Sequence, residues 1–352
     1  MISNLMNLIS RKYEISEIFD LTKASEKTTN NCLKESCMSF PEWDTSEISD
    51  FSQSFSGCIS LASIPLLNTS KGTTFRSMFN GCKSLTTIPC LDTSNGKSFS
   101  RMFWNCTALT TVPLLDTSNG TDFSLMFSAC TALTSVPLID TSNGTDFSYM
   151  FWDCDGLATI PLLDTSNGTD FSGMFEWSDA LTTIPKLNTS KGTDFSYMFY
   201  SCSSLTDVPQ LDTSNGTRFN SMFYICHKLT TIPALDVAKG ADCRYMFEAC
   251  RSLTSLGTDS LTDSDGNTVK PWQFKVSIDF GYCPLDKTSI ECVMNNIQTV
   301  TTTQTLTISK TTALKICGQT DRSYDYANDA HYLEMMSVCT GKGWKVAVNT
   351  SY

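Results

Sequence analysis

Imidazole chemistry has little to work with in this 352-residue chain, because His227 and His331 are its only histidines. Neither stands near a nucleophile motif such as Gly-x-Ser-x-Gly. No constellation of acid, base and nucleophile can be assembled, so the chain reads as a non-enzyme and no cofactor is expected. Thiols are more plentiful, sixteen in all. Cys58, Cys82, Cys106, Cys130, Cys154, Cys202, Cys226 and Cys250 recur on a 24-residue spacing, with Ser178 in the one missing rung. No Cys-x-x-Cys pair with partner spacing accompanies them, which argues against a zinc site. A uniform ladder also lacks a natural disulfide pairing. The expected state is a column of buried free thiols, packed as small apolar groups and formed in a reducing cytoplasm. Cys283, Cys292, Cys317 and Cys339 lie off this ladder, and pairing among them is left open.

Carboxylates form two further columns. One holds Asp92, Asp116, Asp140, Asp164, Asp212 and Asp236, with Asn68 and Asn188 filling rungs; the other holds Asp122, Asp146, Asp170 and Asp194. Stacked carboxylates repel unless hydrogen-bonded or bridged by a cation, and calcium takes oxygen ligands. The interruption by Asn, Lys97 and Arg218 favours Asx-turn and helix-cap roles over calcium. Asp263-Ser-Asp265-Gly-Asn267 lacks the closing Glu of a calcium loop and reads as a hairpin turn.

Aromatic residues supply the remaining chemistry. Trp104, Tyr149, Trp152, Trp177, Tyr197, Tyr200, Tyr224 and Tyr245 occupy the three repeat positions equivalent to Leu125, Ser128 and Ala129. These positions vary from coil to coil while the apolar ones barely change. On successive coils such rings would follow one another at about 5 Å if strand spacing sets the rise. Clustered exposed aromatics mark interaction surfaces, and flat rings among Asp, Ser and Asn suit stacking on sugars. The competing reading is that they shield neighbouring coils or a terminal domain. A second candidate surface is the column Thr87, Thr111, Ser135, Thr159, Thr183, Asp207, Thr231 and Ser255, whose small polar residues read as a threonine ladder.

All these columns presuppose one repeating unit. Pro41, Pro65, Pro89, Pro113, Pro137, Pro161, Pro185, Pro209 and Pro233 are 24 residues apart, nine of the chain's 11 prolines. A period of this size signals a repeat architecture. Within one unit, Phe123, Met126, Phe127 and Cys130 fall at i, i+3, i+4 and i+7, which predicts a two-turn helix. Thr121 would be its N-cap, and Asp122 would favour its dipole. Leu133 to Val136 reads as a short strand ended by Pro137, which cannot donate a ladder hydrogen bond. The Asp-Thr-Ser-Asn-Gly stretch is turn chemistry, with Gly expected in the left-handed region. Such a helix is unstable alone and needs neighbours above and below.

The predicted fold class is an α/β repeat, a leucine-rich-repeat-like solenoid of short strands and short helices with a mixed α/β C-terminal cap. Residues 1–30 form an N-terminal helical cap or docking segment, where Ile2, Leu5, Met6 and Ile9 have helical spacing. Residues 31–257 form about nine 24-residue coils, and residues 258–352 form the C-terminal cap. In that cap, Thr288-x-x-Glu291 is a capping box opening a helix to about Gln298. Thr305 to Ile308 reads as a strand, Ala327 to Cys339 as a second helix, and Trp344 to Val348 as a final strand. The net charge of 25 − 36 = −11 offers no basic stripe, so nucleic acid is not an expected partner. No apolar run reaches the length needed to insert in a membrane. Residues 1–20 lack the basic and apolar regions of a secretory signal.

The run Met-Phe-x-x-Cys-x-x-Leu-x-x-Ile-Pro, at residues 150–161 and again at 198–209 with Val208 in place of Ile, resembles the BspA-like leucine-rich-repeat surface proteins. The resemblance spans residues 31–257, 227 of the 352 positions. It implies adhesion and ligand binding at microbial surfaces, and similar repeats occur in phage proteins. Surface members of the family usually carry an export signal. Together with the thiol ladder, its absence here favours a phage virion component, a tail-fibre or other receptor-contacting module that recognises a surface glycan or protein. The alternatives are a structural virion or assembly protein whose repeat face packs on partner proteins, and a bacterial cell-surface adhesin. Homo-oligomerisation is compatible with each.

Overall fold

Phe123, Met126, Phe127 and Cys130 are all fully buried, as their spacing requires, yet they do not lie on a helix. The computed structural model describes residues 44–262 and 266–351. The N-terminal segment 1–30 and the opening coil before Asp44 therefore lie outside the described residues. Across the repeats the segment expected to be helical is a run of tight turns. Every second amide points to the next coil: Phe123 N–H donates to Asp146 O at 3.0 Å, Leu125 to Ser148 at 2.9 Å, Phe127 to Met150 at 3.0 Å and Ala129 to Trp152 at 2.6 Å. The intervening amides close turns within their own coil, Met126 on Phe123 and Ser128 on Leu125, each at 3.2 Å.

This alternation places Leu125 and Ala129 at φ 55° and 56°, and the equivalent residues of other coils follow, such as Tyr197 and Ser201 at 60° and 58°. Left-handed backbone costs about 1–3 kcal/mol for a non-glycine residue. Four inter-coil hydrogen bonds per rung, each worth about 1 kcal/mol net, offset it. A two-turn helix would instead leave most of its amides and carbonyls unpaired at its ends. The helix-cap roles assigned to Thr121 and Asp122 fall with the helix. Thr121 Oγ1 donates to Lys97 O at 3.3 Å in the preceding coil, and Asp122 Oδ1 accepts from Ser124 N and Oγ at 3.1 and 2.6 Å.

The predicted strand is also reduced. Among the described repeats only β1 (Thr231–Ile232) and β2 (Ser255–Leu256) form a regular parallel pair. Earlier coils keep single bonds such as Thr134 N to Thr110 O at 3.3 Å, and isolated parallel bridges such as Asp122 with Asp146. The repeats thus form a leucine-rich-repeat-like stack built mostly from turns.

Side-chain columns fill the interior. Phe99 stacks on Phe123, and Phe103 on Phe127, with ring centroids 5.7 Å apart in both pairs. Gly120 is needed for this packing rather than for a left-handed φ. A Cβ there would fall 2.7 Å from Phe123 Cζ, 2.9 Å from Thr117 O and 3.0 Å from Phe99 Cδ2. The ladder cysteines are hydrogen-bond donors as well as apolar filling. Cys106, Cys130 and Cys202 donate Sγ–H to Phe79, Phe103 and Phe175 carbonyls at 3.0–3.1 Å. Ser178 makes the same bond to Phe151 O at 2.7 Å, which explains why serine fits that rung. Buried Thr117 likewise donates to Asp140 O in the next coil at 2.5 Å.

The C-terminal unit continues these columns. A hairpin of β3 (Leu261–Thr262) and β4 (Thr268–Val269) follows the last coil, its turn residues 263–265 lying outside the described residues. Next comes a parallel sheet in the order β5 (Ile278–Phe280), β6 (Gln304–Ser309), β7 (Trp344–Asn349). Three helices accompany it: α1 (Lys287–Asn296), α2 (Lys310–Ile316), which the sequence reading missed, and α3 (Ala330–Gly341). Asp286, not Thr288, caps α1, accepting from Ser289 N at 2.7 Å. Phe280 stacks on Phe247 at 4.7 Å, and Cys283 Sγ reaches Phe247 O at 3.5 Å. Cys283 is thus the next rung of the thiol ladder. It is a free thiol, as is every cysteine among the described residues.

Candidate functional site

The same turn run that buries the phenylalanines carries three outer columns, at positions equivalent to Leu125, Ser128 and Ala129. They are not uniformly outward. Ser128 is fully buried between Trp104 and Trp152 in its column, and Ala129 is buried too. Of the eight aromatics, Trp177 and Tyr245 are exposed at 47% and 58%, and the other six are half-buried. Trp104 stands apart from the main group, with the Arg101 guanidinium 5.8 Å from its ring centroid.

The central coils bring the rest together. Tyr200 and Tyr224 stack at 4.7 Å with 6° between their planes. Trp177 lies 6.0 Å from Tyr200, and Tyr197 5.8 Å from it. On the N-terminal side, Tyr149 overlies Gly173, where any Cβ would collide with its ring. Glycine at 173, in the column that also holds Tyr149, Tyr197 and Tyr245, makes that placement possible.

The aromatic criterion missed the residue at the centre of this patch. Glu176 shares a column with Trp152 and Tyr200. It accepts a hydrogen bond from Trp177 Nε1 at 3.1 Å and another from the Trp152 indole. Burial pushes its carboxyl up to about 7, against the two indole donors, which hold it down. The arginines of neighbouring coils are engaged elsewhere, Arg218 with Asp194 and Arg244 with Asp242 at 2.7 Å. Among the described residues Glu176 has no ion-pair partner. Burial also raises Asp153 and Glu248 above the usual carboxylate range, and neighbouring acids add to it. A charged residue breaking an aromatic column was the available signal.

The two aspartate columns are structural. Asp116 Oδ1 accepts from Ser118 N and Oγ at 3.1 and 2.7 Å, an Asx turn repeated along its column. The Asp122 column does the same toward Ser124 and its equivalents. The column of Thr111 and Thr159 is exposed. Its sequence neighbours donate to the preceding coil, as Thr110 Oγ1 does to Thr86 O at 3.4 Å. His227 Nδ1 lies 3.1 Å from Ala249 O, and His331 Nε2 pairs with Glu291 at 2.6 Å, tying α3 to α1.

A leucine stripe also escaped the sequence reading. Leu66, Leu114, Leu138 and Leu162 are 61–71% exposed, with exposed Cys90 filling the rung between Leu66 and Leu114. In later coils this column becomes Lys186, Gln210 and Ala234, which line a groove of about 660 Å³ beside Leu261 and Val269 of the hairpin. That change of residue type along one column was the signal for an outward position.

The family described as "Mycoplasma protein of unknown function, DUF285" matches residues 19–136, 110–181 and 145–259. Together these span 19–259, which is 241 of the 352 positions. No curated protein matches the chain. Among solved structures, a leucine-rich cell-surface protein from Faecalibacterium prausnitzii is 16% identical over 58% of this chain and 75% of its own, with a TM-score of 0.28. A leucine-rich-repeat protein from Eubacterium ventriosum is 16% identical over 61% and 83%, with a TM-score of 0.23. Neither superposition is close enough to transfer a site.

Proposed function

We propose that this chain, which belongs to the DUF285 family, is a non-enzymatic recognition protein whose aromatic patch binds a surface glycan. The observation that carries this reading is the cluster of Tyr149, Trp152, Trp177, Tyr197, Tyr200 and Tyr224 around Glu176 on consecutive coils. Rings in series offer stacking faces for sugar units, and the carboxylate and phenol groups between them offer hydrogen bonds. A protein receptor is the competing ligand class. The solenoid would serve as a rigid support, since its core residues hold the outer columns in fixed register.

The setting we favour is a phage virion, with the chain acting as a tail-fibre or receptor-contacting module. The buried free thiols suit folding in a reducing cytoplasm before release. A bacterial cell-surface adhesin is the alternative setting. Among the described residues no helix is long and apolar enough to cross a membrane. A glycan array tests the ligand. Wild-type chain is expected to bind a subset of glycans, and the triple variant Trp152→Ala, Trp177→Ala, Tyr200→Ala to lose that signal while staying folded. Binding that survives all three changes would remove the patch from the reading.

The leucine stripe favours a second reading, a structural virion or assembly protein that packs on partner subunits along Leu66, Leu114, Leu138 and Leu162. Assembly that fails in Leu114→Glu, Leu138→Glu but tolerates loss of the rings would support it over the first.

A further inference from the structure

We infer that the ligand of this patch carries a positively charged ammonium group, seated at Glu176 among the rings. The inference rests on the recognition reading and names the chemistry of its ligand. Two independent features converge on it. The first is a half-buried carboxylate that no basic side chain neutralises: its described partners are the indole N–H groups of Trp177 and Trp152. Those donors leave acceptor capacity on its oxygens, since an ionised carboxylate has about four lone-pair sites. Taking such a group partly out of water is costly, and a bound cation recovers that cost. The second is the rings themselves. Trp and Tyr faces attract cations through their quadrupoles, most strongly where water is displaced.

The surroundings reinforce the sign. Tyr200 senses the negative charge of both Glu176 and Glu248, while Arg218 and Arg244 are tied to Asp194 and Asp242. A neutral sugar hydroxyl could hydrogen-bond to Glu176 but would leave its charge uncompensated. A lysine-bearing peptide could supply an ammonium. The series of rings on successive coils suits the flat repeating units of a glycan better, so an amine-substituted glycan is the occupant we assign.

Choline chloride is the probe, because its quaternary charge does not titrate, and dimethylbutanol is its neutral isostere. Full-length chain is titrated with each above neutral pH, with tryptophan fluorescence as the readout. Choline is expected to bind about tenfold or more tighter than the isostere, the range of a partly desolvated cation–π and charge contact. Glu176→Gln, which preserves side-chain shape, is expected to shrink that preference severalfold, leaving the part that the rings supply. Equal binding by the wild type would overturn the inference without reference to any variant, and a preference undiminished in Glu176→Gln would also overturn it. Tighter binding of a lysine hexapeptide than of an amine-bearing oligosaccharide of equal charge would overturn the glycan assignment. Ring-dependent binding of neutral glycans without any choline preference would reject the ammonium while leaving the recognition reading standing. Absence of ring-dependent binding to every glycan, charged or neutral, would reject both.

Discussion

Replacing Cys130 by serine should destabilise the protein less than replacing it by alanine. The site is fully buried, and the thiol donates to the Phe103 carbonyl at 3.1 Å. Two rungs further on, Ser178 occupies the equivalent position and donates to Phe151 O at 2.7 Å. Alanine removes the sulfur and the donor together. The lost transfer energy and the small void come to about 1–2 kcal/mol. Serine also gives up apolar burial, about 1 kcal/mol, and an unbonded buried hydroxyl would add about 1–3 kcal/mol. The geometry of Ser178 shows that the hydroxyl finds its carbonyl, which cancels that penalty and returns about 1 kcal/mol. The net cost of serine is then below about 1 kcal/mol, and alanine should exceed it. Urea denaturation of both variants at matched m-values measures the difference. If the ladder thiols were only apolar filling, the order would reverse. A serine variant clearly less stable than the alanine variant would refute the hydrogen-bonding role.

Two further outcomes follow from named residues. Folding raises the Glu176 carboxyl from its usual 4.5 to about 7. The folded state therefore holds its proton where the unfolded state has lost it. Its contribution is fully present below about pH 4.5 and is lost as pH rises to about 7, on the order of 1–3 kcal/mol. Glu176→Gln should flatten that part of the stability profile, and an unchanged slope between wild type and variant would contradict the assignment. Gly120 is constrained by the rings of Phe123 and Phe99. Gly120→Asn should therefore cost at least as much as Gly120→Ala, about 1–3 kcal/mol or more for overpacking. A left-handed site would instead tolerate asparagine.

The 24-residue spacing made the side-chain columns legible. Phe123, Phe127, Cys130 and Leu133 all reach the interior, and Thr305 to Ile308 and Trp344 to Val348 fall within β6 and β7. The backbone beneath the columns was not legible. An i, i+3, i+4, i+7 pattern records which side chains go inside, and a turn run with left-handed residues at 125 and 129 satisfies it as well as a helix does. Which amides pair is decided by the neighbouring coil, which no single unit encodes. Ser178 was the one rung that exposed the donor role of the cysteines. Glu176 was overlooked because its column was read for aromatic residues, and its importance comes from burial beside Trp152 and Trp177. Cys283 could not be placed on the ladder from spacing, since it follows Cys250 by 33 residues rather than 24.

The patch around Glu176 is tested most directly by fluorine NMR of fluorotryptophan-labelled chain, titrated with a glycan that the array identifies. Signals from Trp152 and Trp177 are expected to shift together and saturably, while those of buried Trp272 and Trp344 stay in place. A saturable shift confined to other tryptophans, with Trp152 and Trp177 unmoved, would contradict the account.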